Sequence, residues 1–206
     1  MTSMASMGNY GTSPQNCFRD LKKVLGLPEA APGFTFADIP TIHGPATPHP
    51  FIMPHEFFAK QFAKNKGMWA SAISGPADAA QEFWRSMKKT EFLKAHPDLP
   101  REKWGRTIPL RMHGDGAAFS HQDSIYTFCW NSLLGAGQTI AKRFVISFIK
   151  KSEMVEGTMD AMTRIMAWSF NAMLSGRYPI EDWVGRPLAG GGGDLADGWR
   201  GALSQC

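Results

Sequence analysis

The chain has 206 residues, 43% of them hydrophobic and 19% charged. That is enough apolar material for a core, which excludes wholesale disorder, and no apolar run approaches the ~18 residues of a membrane helix. Lys and Arg number 22 against 18 Asp and Glu, a net charge of +4, too slight on its own to mark a polyanion-binding protein.

Residues 1–12 read as a disordered leader. The opening MTSMASMGNYGTSPQN lacks an apolar stretch and meets its first basic residue at Arg19, so neither a secretory signal nor an Arg-rich transit peptide is expected. If translation began at Met7, the run Met7-Gly8-Asn9-Tyr10-Gly11-Thr12 would match the myristoylation pattern, an alternative to a plain leader. Cys17, Cys129 and Cys206 lie far apart with no C-x-x-C pair. That spacing argues against a disulfide framework and for an intracellular location, nuclear or cytoplasmic.

Residues 13–105 read as a helical segment. Ser13-Pro14 is a helix cap and first-turn proline, followed by Phe18, Leu21, Val24 and Leu25 at helical spacing. Prolines at 28, 32, 40, 45, 48 and 50 make 27–53 an extended linker or wrapping arm. Pro54 opens a second helix over 54–66, with Phe57, Phe58 and Phe62 apolar. A third follows Ser74-Gly75-Pro76 and runs to Lys89, or on to Ala95, before His96-Pro97 breaks it.

From Arg106 the pattern changes to strands. Thr107–His113 reads as a strand ending in the turn Gly114-Asp115-Gly116; Ser124–Leu134 and Arg143–Ile149 read as two more. Short connections make these a three-stranded antiparallel meander. Gly157–Leu174 is a helix, with Met159, Met162, Ile165, Met166, Phe170 and Met173 on one stripe and Gly176 as its stop. The four glycines after Leu188-Ala189 make 177–206 a tail that is not expected to pack as a strand. The expected organisation is a leader (1–12), a helical segment (13–105), a βββα unit (106–176) and a Gly-rich tail (177–206). Three strands and one helix leave a sheet face and an edge open, so a protein partner or self-association is a natural use of the unit.

The chemistry-bearing stretch is Met112-His113-Gly114-Asp115-Gly116. A carboxylate at the end of a strand between glycines has little steric cover, and hard cations such as Mg2+ take oxygen ligands of this kind. An Asp-Gly turn that caps its own backbone is the plainer reading. His113-x-Asp115 also fits two ligands of a two-histidine, one-carboxylate iron site, but no histidine follows His121 to supply the third. A His-Gly oxyanion hole would need a G-x-S-x-G elbow, and the chain has none. That leaves Asp115 as the first carboxylate of a two-metal phosphoryl-transfer site, which requires further acids from other elements.

Pro109-Leu110-Arg111-Met112-His113-Gly114-Asp115-Gly116, Trp130-Asn131-Ser132-Leu133-Leu134-Gly135, Lys142-Arg143-Phe144 and Gly157-Thr158-Met159-Asp160 resemble segments of an expanded set of dinoflagellate proteins that look like degenerate transposases with a ribonuclease-H-like fold. The resemblance spans about residues 50–190. It implies three antiparallel strands followed by a helix, with Asp115 as the remnant of the first catalytic, Mg2+-binding carboxylate. Members of the set continue from a Pro-Leu-Ala-Gly-Gly segment into an apolar strand and an Asp pair. Here Pro187-Leu188-Ala189-Gly190-Gly191 runs into more glycine before Asp194 and Asp197. The expectation is therefore an α+β, incomplete ribonuclease-H-like protein, transposase-derived and catalytically inert. The alternatives are a protein-interaction module and a metal-dependent nuclease.

Basic residues near aromatics give a further expectation. Lys60, Lys64, Lys66, Arg85, Lys88, Lys89 and Lys94 flank Phe58, Phe62 and Trp84, a combination that binds nucleic acid or makes a solvated helix face. His43, His49 and His55 recur every six residues, but the intervening prolines speak for an arm more than a metal site.

Overall fold

A computed structural model describes residues 33–87, 99, 101–118, 123–136 and 142–204, and these fall in one compact unit that opens at Gly33. Its class is α+β: the described residues form a two-stranded hairpin, a four-stranded mixed sheet and four helices. The hairpin pairs β1 (Thr35–Thr41) antiparallel with β2 (Gly44–Phe51). Next come α1 (Pro54–Lys64), the single turn α2 (Lys66–Met68), which continues as a π-helical stretch over Trp69–Ser74, and α3 (Ala79–Met87). A 3-10 helix at Arg101–Arg106 leads into β3 (Thr107–Ala118), followed by β4 (Ser124–Ser132) and β5 (Phe144–Lys150). The last two elements are α4 (Thr158–Ser175) and β6 (Arg200–Leu203). The strand order is β5-β4-β3-β6, with β6 parallel to β3 and the other pairs antiparallel.

The core forms where the stripe of α4 meets one face of the sheet. Met162, Ile165, Met166, Phe170 and Met173 are buried in one cluster with Ile108 and Leu110 of β3, Phe128 and Trp130 of β4, and Phe144, Ile146 and Ile149 of β5. Helix α1 completes it. The Phe57 ring lies 5.9 Å from Trp130 and 4.7 Å from Phe144, contacts that add about 0.5–1.5 kcal/mol each beyond simple burial. A second cluster gathers Trp84 of α3, Leu99, Trp104 and Ala202 of β6. Trp84 Nε1 donates to the Thr107 carbonyl at 2.7 Å, tying α3 to the start of β3.

Three regions depart from the sequence reading. The Pro-rich stretch is a hairpin, not an arm. Pro48 and Pro50 pair across from Asp38 and Phe36, and their alternate spacing puts both missing N–H groups on the edge away from β1, where a strand tolerates proline. The Pro50 carbonyl on that edge accepts from Ser147 Oγ at 2.8 Å, and Ile52 N–H donates to the Ile146 carbonyl at 2.7 Å. The end of the hairpin thereby covers the outer edge of β5. A bulge between Phe128 and Cys129 makes this possible by turning consecutive Ile146 and Ser147 both inward.

Strand β3 does not stop at Gly114. It runs on to Ala118 because β4 pairs with every residue from Leu110 to Ala118. The tail, too, is ordered by backbone bonds. Leu188 N–H donates to Ile180, Gly192 N–H to Tyr178 and Tyr178 N–H to Gly193, and the chain then supplies β6 as a fourth strand. The meander itself is as read, with one strand added beside β3. The helix expected after Ser13, the end of the third helix beyond Met87, and the Met7 motif lie outside the described residues.

The glycine run separates into positions that need glycine and positions that do not. A Cβ on Gly191 would sit 2.3 Å from the Pro179 carbonyl oxygen and 2.7 Å from Ile180 Cα, whereas one on Gly193 would meet nothing within 4 Å. Gly191→Ala is expected to destabilise by about 1–3 kcal/mol through forced backbone movement, and Gly193→Ala to stay within about 0.5 kcal/mol of wild type, measured by urea unfolding. Equal costs at both sites would contradict this packing.

Candidate functional site

Register fixes what surrounds Asp115. Side chains alternate across a strand, so Arg111, His113, Asp115 and Ala117 share the sheet face opposite the α4 core. Rows across that face follow from the pairing: Arg111 beside Asn131, His113 beside Cys129 and Val145, Asp115 beside Thr127 and Phe148, Ala117 beside Ile125 and Lys150. Asp115 is exposed, and its described cross-strand and along-strand neighbours include no second carboxylate. His113 Nε2 donates to Asn131 Oδ1 at 2.7 Å, which ties one ring nitrogen to a side chain of β4.

Gly114 and Gly116 lie on the opposite, core-side face of β3. There a Cβ would come 3.3 Å from the Phe128 ring at Gly114 and 3.2 Å from the Tyr126 ring at Gly116. These glycines make room for two aromatic rings of β4 and do not form a turn around the carboxylate.

The acids of the tail are elsewhere. The backbone of Asp194 forms an isolated antiparallel β-bridge with Arg177 just beyond the end of α4. Asp197 lies 3.9 Å from the Arg106 guanidinium, and Arg106 Nη1 also donates to the Asp197 carbonyl at 2.6 Å. Arg106 precedes β3 and Asp115 stands nine positions further along, about 30 Å at the rise of a strand. The structure therefore brings neither Asp194 nor Asp197 to Asp115. Among the described residues, no group of three His, Cys, Asp or Glu side chains is arranged to hold a metal ion.

The basic candidates are distributed over two helices. Lys60, Lys64 and Lys66 belong to the α1–α2 region, whose Lys66 Nζ sits 3.7 Å from the centre of the Phe62 ring. Arg85 is exposed on α3, whose Trp84 belongs to the other apolar cluster. Lys88, Lys89 and Lys94 lie outside the described residues. The three spaced histidines do not converge: His43 is exposed, His49 Nε2 donates to Ser147 Oγ at 2.9 Å, and His55 is buried beside Ser169. No helix among the described residues is long and apolar enough to cross a membrane.

The sequence reading missed a buried polar cluster where α1 meets α4. The backbone N–H of His55 donates to Ser169 Oγ at 3.2 Å, and that hydroxyl returns its proton to His55 Nδ1 at 2.8 Å. The Trp168 ring packs edge-on at 5.0 Å and Tyr178 at 6.4 Å. Burial pushes the pKa of the His55 imidazole down to about 4. The neighbouring Glu56 carboxyl is raised by burial, with a Thr35 hydrogen bond and Lys60 opposing it. His55 follows Pro54 at the start of a helix, and nothing in its spacing marks it as buried. Beside this cluster, Trp168, Tyr178, Ile180 and Gly192 help line a cleft of about 480 Å³. A second cleft of about 500 Å³ lies where β6 ends against β3, between Arg111, Met112, His113, Leu203 and Ser204.

Fold and site together define an α+β protein whose open sheet face carries one carboxylate without acidic companions among the described residues. No known family, curated protein or solved structure matches the chain.

The His55 cluster yields a pH test. The unfolded imidazole titrates near 6.5 and the folded one near 4, so between those values the unfolded state binds the proton first. Stability present above pH 6.5 is lost as pH falls toward 4, by about 3 kcal/mol at 1.36 kcal/mol per pH unit of displacement. His55→Gln should remove most of that slope in denaturant unfolding followed from pH 7 to 4. An unchanged slope would contradict the buried, neutral state of His55.

Proposed function

We propose that this chain is a transposase-derived, catalytically inert protein built on an incomplete ribonuclease-H-like frame, and that it acts by binding. The order β3, β4, β5, α4, with Asp115 on the first of those strands, supports the resemblance read from the sequence. The observation that carries the inert reading is the isolation of Asp115. Two-metal phosphoryl transfer needs cations ~3.5–4 Å apart, held by several fixed carboxylates, and the neighbours of Asp115 on its face are His113, Ala117, Thr127 and Phe148. Bringing Asp194 or Asp197 to it would require dismantling the contacts to Arg177 or Arg106.

Binding has two supports of unequal weight. The stronger is the open sheet: Val145 and Phe148 are exposed on the face of Asp115, and on the side away from β4, β3 has no neighbour beyond Leu110 among the described residues. A protein partner fits that surface. Weak nucleic-acid binding through Lys60, Lys64 and Lys66 is the second reading, favoured by the clustering of three cations within seven residues. Arg85, together with Lys88, Lys89 and Lys94, belongs to that reading as well.

Purified chain incubated with plasmid DNA and Mg2+ or Mn2+ is expected to show no cleavage above background, and Asp115→Asn to behave identically. Metal-dependent cleavage that Asp115→Asn abolishes would overturn the inert reading. Any DNA binding by the basic end of α1 should be weak and fall steeply with salt, as phosphate contacts do, and Lys60→Ala with Lys64→Ala should remove it.

A further inference from the structure

The backbone polarity of β3 can be read from a single bond. Leu133 N–H donates to the Pro109 carbonyl, so the backbone groups of residues 109, 111, 113, 115 and 117 point toward β4. Those of Leu110, Met112, Gly114, Gly116 and Ala118 point the other way. The Leu110 carbonyl accepts from Ser204 N–H at 2.8 Å, and the β6 pairing goes no further. Among the described residues, no hydrogen bond reaches the outward backbone groups from Met112 to Ala118, and residues 114–118 are exposed. Such an edge is a template for another strand. The opposite edge of the sheet, on β5, is covered by the Pro50 and Ile52 contacts.

We infer that the occupant is β3 of a second copy of this chain, antiparallel, with the two-fold axis at Gly114. The inference names the partner for the interaction reading given above and rests on it. Charge and space select the register. A two-fold at Asp115 sets two carboxylates directly opposite each other. A two-fold at His113 sets two imidazoles opposite and puts Gly116 against the edge of Leu110, which Ser204 holds, whereas at Gly114 only the last residue of the strand, Ala118, meets that position. A two-fold at Gly116 faces Asp115 with Ala117.

At Gly114, the outward groups match: Gly114 bonds to its own copy, and Met112 exchanges both backbone bonds with Gly116 of the second copy. His113 and the second copy's Asp115 then form the intervening pair, the type in which side chains come closest, with Cα atoms about 4.5 Å apart. Symmetry makes this pair twice. Arg111 of the second copy stands on one diagonal of each Asp115. The two Asp115 carboxylates share the other diagonal at about 7–8 Å, no closer to each other than each is to Arg111 on the first. On the opposite face, half-exposed Met112 stands opposite the second copy's Gly116, over which that copy's Tyr126 ring lies. One contact surface thus serves both copies, as an isologous two-fold interface requires. The paired edge is short, so the dimer is weak and forms at high concentration.

Sedimentation equilibrium of the full chain, from about 10 µM to about 1 mM to bracket a small interface, tests this. Wild type is expected to dimerise. Asp115→Lys puts a cation opposite His113 at both pairs and should weaken self-association about tenfold or more. His113→Asp sets an introduced carboxylate opposite that of Asp115, again at both pairs, and should do the same. Mixed together, the two variants should associate with each other more tightly than either does alone, because the introduced lysine of one then faces the introduced aspartate of the other. Circular dichroism on both variants distinguishes lost pairing from lost folding, and these positions are exposed or half-exposed. A chain that stays monomeric throughout overturns the inference, as does a dimer indifferent to Asp115→Lys or a mixture that fails to associate. The cleavage assay of the preceding section reads the inert frame independently of all three results.

Discussion

Strand β3 changes its surroundings halfway along, and most of the molecule follows from that change. From Thr107 to Leu110 it is buried, with β6 along one side and β4 joining on the other. From Arg111 to Ala118 it keeps β4 alone among the described strands and passes from half-buried to exposed. The first half anchors both apolar clusters: Ile108 and Leu110 belong to the core beneath α4, while Thr107 accepts the Trp84 indole. The second half presents Arg111, His113 and Asp115 on an open face, and along its edge a row of backbone groups that no described residue satisfies. One strand thus supplies both the centre of the fold and its open edge.

The chemistry of that surface is governed by geometry more than by composition. A carboxylate on a strand gains ligand partners only if neighbouring strands or the covering helix place acids in its row. The rows here hold Thr127 and Phe148 beside Asp115. The tail's acids lie elsewhere, Asp197 beside Arg106 at the far end of β3 and Asp194 in a backbone bridge with Arg177 just beyond α4. What remains is a cation, an imidazole and a carboxylate along one strand, Arg111, His113 and Asp115, which suits pairing with an antiparallel copy of that strand better than holding cations.

The periodic parts of the fold were legible in the sequence. The stripe of α4 announced its helix, and the β-branched and aromatic runs announced β4 and β5. The illegible parts were those where a local signal has two physical meanings. Proline means linker when its missing N–H would leave a ladder broken, but edge strand when that N–H faces outward, as at Pro48 and Pro50; their two-residue spacing was the available clue. Gly-Asp-Gly means turn when glycine supplies unusual backbone angles, but strand when it makes room for rings, as Phe128 and Tyr126 require at Gly114 and Gly116. Asp115 could be singled out from sequence, yet its lack of companions could not, because that depends on the register with β4. His55 carried no signal at all, since its burial comes from the packing of α1 on α4.

The open edge of β3 is the feature on which the functional account turns, and residue-resolved amide hydrogen exchange on dilute protein tests it most directly. The account predicts that the amides of Gly114 and Gly116 exchange much faster than those of His113 and Asp115, which bond to β4, and that concentrating the protein slows the two glycines selectively. Equal protection of all four amides in the dilute chain would mean that this edge is already covered, and would contradict it.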